Sequence, residues 1–156
     1  MKQIIWIFGT SAAGKETFIR SILTSDDIKK ALGIKSQAIA VSQESLKNLG
    51  KLDGSRKSIF KEIESLVQNN DVVLLKWQYG DSQIGTPEKM YEIYPNYKHR
   101  IIALDVLRED QVDRLKTKIW WYDKGAESDF LAKETIIVEE VIEKLSDKFE
   151  VSSFKW

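Results

Sequence analysis

Two kinds of hydrophobic pattern alternate along the chain. Short, mostly apolar runs are typical of strands buried on both faces of a parallel sheet, whereas apolar residues spaced three or four positions apart indicate helices with one buried face. The predicted strands span residues 3–8, 38–41, 72–75, 101–106 and 149–154. The predicted helices span residues 15–23, 55–68, 88–93, 108–118 and 133–148. The pattern therefore predicts an α/β protein.

The order of these elements, β-α-β-α-β-α-β-α-α-β, is typical of consecutive βαβ units. We expect a three-layer α/β/α fold, with a mostly parallel five-stranded sheet and helices on both of its faces. A chain of 156 residues, 42% of them hydrophobic, is long enough to form one core. Because the sequence contains no internal repeat or linker, we expect a single domain over residues 1–156.

Composition argues against several classes of function. Lysine and arginine number 24, as do aspartate and glutamate, so the net charge does not support wholesale coating of nucleic acid or binding to anionic membranes. The chain has no cysteine and one histidine, His99, which excludes disulfides and cysteine-based zinc sites. We expect His99 to be structural or solvated. The apolar run that ends at Phe8 is too short to cross a membrane, so we expect a soluble cytoplasmic protein without a membrane partner.

The candidate chemistry lies in the segment G-T-S-A-A-G-K-E-T, residues 9–17. Gly9 follows a predicted buried strand and permits a tight turn, and the small residues after it let backbone N–H groups surround phosphate oxygens. Gly14 and Lys15 begin a helix whose free N–H groups favour an anion, and the Lys15 ammonium can reach the β- and γ-phosphates. The predicted nucleotide-binding residues are Gly9, Ser11, Ala12, Ala13, Gly14, Lys15, Glu16 and Thr17.

This segment resembles the phosphate-binding loop (P-loop) of the P-loop kinase families, which implies a P-loop NTPase type of fold with ATP and Mg²⁺ as cofactors. The chain departs from the usual G-K-[ST] pattern, because Glu16 stands where a Ser or Thr hydroxyl usually contacts magnesium. The form G-K-x-T resembles nucleotide kinases of the adenylate kinase type and makes Thr17 a candidate metal residue. We expect the Glu16 carboxylate to face solvent, since a carboxylate beside a triphosphate is costly. The alternative is that it binds the water shell of the metal.

Asp53 and Arg56 form a D-x-x-R pattern at the start of the second long helix. In a kinase of this fold that region lies on the acceptor side of the P-loop, so Asp53 is a candidate catalytic base. Arg56 is a candidate for holding an acceptor phosphate. The pattern resembles the D-x-x-R of polynucleotide kinases, although it falls later after the P-loop. The alternative is an N-cap aspartate beside a solvated arginine.

The third predicted strand is followed by Lys76, at the point where kinases and ATPases usually place a magnesium-holding acid. Asp81 is therefore the candidate for a displaced metal-holding carboxylate. Because α/β sheets bind ligands at the carboxyl ends of their strands, Lys76 and Gln78 are candidates for substrate binding. The alternative for all three residues is a capped turn.

Arg108 and Arg114 follow the fourth predicted strand. In nucleotide kinases this part of the chain forms a lid whose arginines close over the phosphates, which makes Arg114 the first candidate for a catalytic arginine and Arg108 the second. Residues 120–125 would then form the tip of the lid. A solvated basic helix face explains these positions equally well.

Together these features predict an ATP-dependent phosphotransferase. It would move the γ-phosphoryl group to a hydroxyl or phosphate of a small-molecule or nucleic-acid acceptor: a nucleoside, a nucleotide or a polynucleotide. Catalysis would rest on Lys15, Asp53, Arg114 and magnesium. Two alternatives stay open: a nucleotide-binding switch or NTPase module without an acceptor, and a degenerate domain that binds nucleotide without turnover. The sequence predicts neither the acceptor nor the oligomeric state.

Overall fold

The structure, a computed structural model, describes residues 2–10, 13–35, 37–41, 56–77, 87–116 and 127–156. Its strands are β1 (Gln3–Phe8), β2 (Ala38–Val41), β3 (Val72–Trp77), β4 (Lys98–Asp105) and β5 (Glu150–Lys155). Its helices are α1 (Lys15–Thr24), α2 (Asp26–Ala31), α3 (Arg56–Asn69), α4 (Pro87–Ile93), α5 (Arg108–Lys116) and α6 (Glu127–Leu145). None of the described helices is long and apolar enough to cross a membrane.

The five strands form one sheet in the order β2-β3-β1-β4-β5, and every neighbouring pair is parallel. β1 lies at the centre, where Ile7 is paired with Lys76 of β3 on one side and with Ile102 of β4 on the other. The prediction of a five-stranded α/β fold is thus confirmed, and the sheet that was predicted as mostly parallel is wholly parallel.

Helices cover both faces of the sheet, which explains why β1 is continuously apolar from Ile4 to Phe8. Ile5 and Ile7 pack with α1 and α2 in one core cluster. Ile4, Trp6 and Phe8 point to the other face and pack with α3, α4 and α6. Successive strand residues alternate between faces, so a central strand of a three-layer fold has no polar face. The predicted three-layer arrangement follows from these two clusters.

Helix α2 was not predicted from the sequence. Its first turn is capped by the Ser25 hydroxyl, which accepts a hydrogen bond from the backbone N–H of Ile28 at 3.3 Å. The helix ends at Ala31 with Leu32 as its C-cap, and Gly33, which has φ of 71°, follows. The N–H groups of Gly33 and Ile34 donate to the carbonyls of Lys30 and Lys29, the pattern of a Schellman motif. The sequence contains both end signals, Ser25 and Gly33, but the helix between them is only six residues long and shows too little of a helical pattern to be predicted.

Strand β4 begins at Lys98, three residues earlier than the predicted start, with His99 and Arg100 buried in it. Both polar side chains are tied to backbone carbonyls: His99 Nε2 donates to Tyr94 at 2.7 Å, and Arg100 Nη1 donates to Leu32 at 2.7 Å. Burial lowers the pKa of His99. His99 is therefore a structural residue at the amino end of β4, away from the carboxyl edge of the sheet.

Candidate functional site

The P-loop begins at the carboxyl end of the central strand. Gly9 directly follows β1, and a Cβ built on Gly9 would lie 3.2 Å from the Cβ of Ala13 and 3.6 Å from the Cβ of Leu104. The loop thus folds back closely on the strand end, and the backbone N–H of Ala13 donates to the carbonyl of Thr10 at 3.2 Å. A side chain at position 9 would crowd this turn, which is the reason for a glycine here.

Gly14 is the residue from which α1 begins. Its φ of 83° and ψ of 30° place it in the left-handed region, which glycine adopts without strain. The backbone N–H groups of the first turn have no partner within the helix ladder, and the positive end of the helix dipole lies at the same point. The sequence prediction that Gly14 and Lys15 open a helix is confirmed. The loop and helix start together form the environment expected of an anion-binding helix terminus.

Lys15 is buried within this loop although it carries a charge. Its side-chain Nζ donates to the carbonyl of Gly9 at 3.0 Å and to the carbonyl of Thr10 at 2.9 Å. Both acceptors belong to the loop itself, so the ammonium lies against the loop rather than in bulk solvent. A buried ammonium beside the start of a helix suits a strongly anionic ligand, so the loop residues that the structure describes fit the triphosphate of ATP.

Gln111 of α5 contacts the same loop, a role that the sequence analysis missed. Its side-chain Nε2 donates to the hydroxyl of Thr10, and both residues are buried. Because Thr10 also accepts from Lys15 through its carbonyl, Gln111 supports the residue that holds the lysine. The signal in the sequence is weak, since α5 is strongly polar and one glutamine does not stand out from its neighbours.

Arg114 and Trp156 lie beside Gly14. A Cβ built on Gly14 would lie 2.9 Å from Nε1 of Trp156 and 3.0 Å from Nη1 of Arg114. The Trp156 ring packs edge-on against Phe18 of α1, with ring centroids 5.2 Å apart. The structure thus brings the first-choice arginine next to the P-loop. It also adds Trp156, which is 142 positions from Gly14 in the sequence and was not predicted.

Arg108, the second-choice arginine, is engaged elsewhere. Its Nη2 donates to the hydroxyl of Thr135 in α6 at 2.9 Å, and this hydroxyl in turn donates to the carbonyl of Leu131 at 2.7 Å. The guanidinium therefore links α5 to α6, and the lid role of Arg108 stays a prediction.

Glu16 and Lys76 form an ion pair, with Nζ of Lys76 2.9 Å from Oε1 of Glu16. Side chains two positions apart in a strand point to the same face of the sheet. Lys76 therefore lies on the face of β3 that packs against α1, together with Leu74 and Val72. The side chains of Lys76 and Glu16 are 24% and 46% exposed. The Glu16 carboxylate is thus partly open to solvent, as expected, but it is also held by a cation that the sequence analysis treated separately.

This pair does not fit a magnesium site of the usual P-loop kind. A Ser or Thr hydroxyl and an acid normally stand at these two positions, whereas here a carboxylate faces an ammonium. Thr17, the predicted metal residue, is exposed on the first turn of α1. Among the residues that the structure describes, no group of three or more His, Cys, Asp or Glu side chains could hold a metal ion.

Several predicted site residues lie outside the described part of the chain. These are Ser11 and Ala12 of the P-loop, Asp53, Gln78, Asp81 and the lid-tip segment 120–125. Arg56 is the first residue of α3, but its side chain is not among those that the structure describes. Their predicted roles stay predictions.

Comparison with known proteins gives structural neighbours only. No protein-family model and no curated protein sequence matches the chain. A deoxyadenosine kinase from M. mycoides, solved with the products dCMP and dCDP, is similar in fold with a TM-score of 0.52 at 15% identity, over 97% of this chain and 89% of that one. A chain of the PezAT chromosomal toxin–antitoxin system of Streptococcus pneumoniae matches with a TM-score of 0.58 at 16% identity, over 99% and 68%. A gluconokinase from Sinorhizobium meliloti matches with a TM-score of 0.50 at 14% identity, over 99% and 82%. Together with the sheet order and the loop geometry, these neighbours show that the chain has the P-loop kinase fold.

Proposed function

We propose that this protein is an ATP-dependent phosphotransferase that moves the γ-phosphoryl group to a hydroxyl or phosphate of a nucleoside, nucleotide or polynucleotide. The observation that carries the proposal is the position of Lys15. Its ammonium is buried against the carbonyls of Gly9 and Thr10, at the start of a helix and at the carboxyl edge of the sheet. Open α/β sheets bind their ligands at this edge.

The choice of a kinase over other nucleotide-binding functions is supported by the fold and by Arg114. The neighbours include a deoxyadenosine kinase and a gluconokinase, whose acceptors are small molecules. The same deoxyadenosine kinase was also solved with bound dATP. Arg114 comes from the helix that follows β4 and approaches the P-loop at Gly14. An arginine in such a place can stabilise negative charge on a transferring phosphoryl group.

In the proposed reaction the acceptor oxygen forms a bond to the γ-phosphorus of ATP, while the bond from that phosphorus to the β–γ bridging oxygen breaks. ADP is the leaving group. Asp53 is the proposed base that takes the proton of the acceptor hydroxyl, and Arg56 and Gln78 are proposed to hold the acceptor. Lys15 and Arg114 would stabilise the charge on the phosphoryl oxygens, so catalysis would rest on positioning and electrostatics.

A nucleotide-binding switch is a second candidate, and the ion pair between Glu16 and Lys76 favours it. The pair replaces two groups that P-loop enzymes normally use to hold magnesium during turnover. A switch would hydrolyse ATP slowly by itself and would change its partners with its nucleotide state. A kinase would turn over quickly only when its acceptor is present.

Transfer of label separates the two candidates. The protein is incubated with γ-labelled ATP, Mg²⁺ and a panel of nucleosides, nucleotides, oligonucleotides and small hydroxyl compounds. We expect label on one acceptor class, lost in Lys15→Ala and kept in Lys98→Ala, which removes a lysine at the opposite edge of the sheet. Slow release of labelled phosphate without any labelled acceptor would refute the kinase and favour the switch. Failure to bind ATP would refute both.

A further inference from the structure

Glu16 and Lys76 stand at the two chain positions through which P-loop proteins usually hold magnesium. The residue directly after the P-loop lysine normally provides a hydroxyl, and the end of the strand beside β1 normally provides an acid. Here the first position carries a carboxylate and the second an ammonium, 2.9 Å apart. The two side chains are complementary, since the carboxylate at one position carries the charge opposite to that of the ammonium at the other.

The charges at these positions disfavour a divalent ion held by the protein. A magnesium ion close to Glu16 would also lie close to the Lys76 ammonium, and repulsion between two cations grows with the product of their charges. The negative charge of Glu16 is already balanced by Lys76. The pair is therefore neutral as a whole, and its cation, the Lys76 ammonium, lies beside Glu16 in the first turn of α1.

We propose that the Lys76 ammonium supplies to the triphosphate the positive charge that magnesium usually supplies, so that ATP binding by this protein depends little on Mg²⁺. This inference rests on the proposed binding of ATP at the P-loop. The pair is partly exposed, with side-chain exposures of 24% and 46%, and exposed ion pairs contribute little to stability. The Lys76 ammonium has three N–H donors, so it can contact a phosphate oxygen while it still neutralises the Glu16 carboxylate, and its long, flexible stem allows the adjustment.

Calorimetric titration of ATP, once with Mg²⁺ and once with EDTA, tests the inference without any requirement for turnover. For the wild type we expect the two Kd values to differ by less than about fivefold. Lys76→Ala should bind ATP more weakly than the wild type in EDTA, by more than about fivefold. Lys98→Ala is the matched control, because Lys98 is also a strand lysine near a glutamate, with Nζ 3.6 Å from Glu150. Its Kd should equal that of the wild type in both conditions.

A double variant provides the converse test. Glu16→Ser with Lys76→Asp restores a hydroxyl and an acid at the two positions, and its fold is checked by circular dichroism. We expect its affinity for ATP to fall by more than about tenfold when EDTA replaces Mg²⁺. Such a fall would show that replacing these two side chains is enough to make ATP affinity depend on Mg²⁺.

The outcomes distinguish the inference from the function on which it rests. If the wild type binds ATP with Mg²⁺ but loses more than about fivefold in affinity in EDTA, the inference is overturned and ATP binding stands. If Lys76→Ala binds as the wild type does in EDTA, the inference is likewise overturned. If the wild type binds ATP in neither condition, the proposed function itself fails.

Discussion

Replacement of Gly14 by alanine adds one methyl group at a crowded point of the P-loop. Two separate costs follow. The φ of 83° lies in the left-handed region, where a non-glycine residue costs about 1–2 kcal/mol, partly offset by about 0.4–1 kcal/mol from the lower entropy of the unfolded chain. The new Cβ would also lie 2.9 Å from Nε1 and 3.2 Å from Cδ1 of Trp156, so the indole must move.

The second cost can be isolated, because the chain contains a second glycine with the same backbone strain and no crowding. Gly33 has φ of 71°, and a Cβ built on it meets nothing within 4 Å. Gly33→Ala should therefore reduce the free energy of unfolding by about 0–1.6 kcal/mol. Displacing a packed ring is an overpacking event that costs about 1–3 kcal/mol, and Gly14→Ala should lose this amount in addition.

Urea denaturation of the two variants measures the difference, since a change of midpoint at constant slope reports a change of stability. Trp156→Ala in the background of Gly14→Ala completes a double-mutant cycle and should remove most of the extra cost. The reasoning is refuted if Gly14→Ala and Gly33→Ala agree within about 0.5 kcal/mol, or if the extra cost persists without the indole.

Three further predictions follow from single contacts. Gln111→Leu leaves the buried Thr10 hydroxyl without its donor, so the free energy of unfolding in urea should fall by about 1–3 kcal/mol; an unchanged value would show that this hydrogen bond is not formed. Burial lowers the pKa of His99, so the unfolded chain takes up the proton first, and stability should fall as the pH drops below about 6.5. His99→Gln should lose less stability between pH 7.5 and pH 5.5 than the wild type, and equal losses would contradict the assignment. Arg114→Ala should lower the rate of phosphoryl transfer by about 100-fold or more and leave the free energy of unfolding unchanged. Arg108→Ala should lower the free energy of unfolding, because it breaks the link between α5 and α6. Loss of transfer in Arg108→Ala and loss of stability in Arg114→Ala would exchange the two roles.

The strands, the long helices and the P-loop were predictable because each is determined by neighbouring residues. β1 reads as a buried strand from its own side chains, and Gly14 with Lys15 indicates a helix start within a few positions. Boundaries were less predictable. β4 extends to Lys98, with His99 and Arg100 bonded to the backbone carbonyls of Tyr94 and Leu32, just after the ends of α4 and α2. The acceptor of Arg100 is 68 positions away, so the neighbouring sequence does not show it.

The contacts of the site were harder to predict, because they depend on which strands are neighbours. Glu16 and Lys76 are 60 positions apart, and they meet only because β3 lies next to β1 in the sheet. The alternation along β3 predicts the face on which Lys76 lies, but not what lies above that face. Gln111 contacts the P-loop from α5, and Trp156 contacts it from the position directly after β5. The sequence around these two residues does not indicate either contact.

The central place of β1 also affects how the chain is made on the ribosome. β1 is synthesised first among the strands, yet both of its partners come much later: Gln3 pairs with Val72 and with Lys98. At about 5–20 residues per second, the 95 positions from Gln3 to Lys98 take about 5–19 s to translate. For that time the apolar residues 4–8 of β1 have only one neighbouring strand or none. Placing the first of these strands in the middle of the sheet thus exposes apolar side chains during synthesis, and we expect the soluble yield to rise when holding chaperones are abundant.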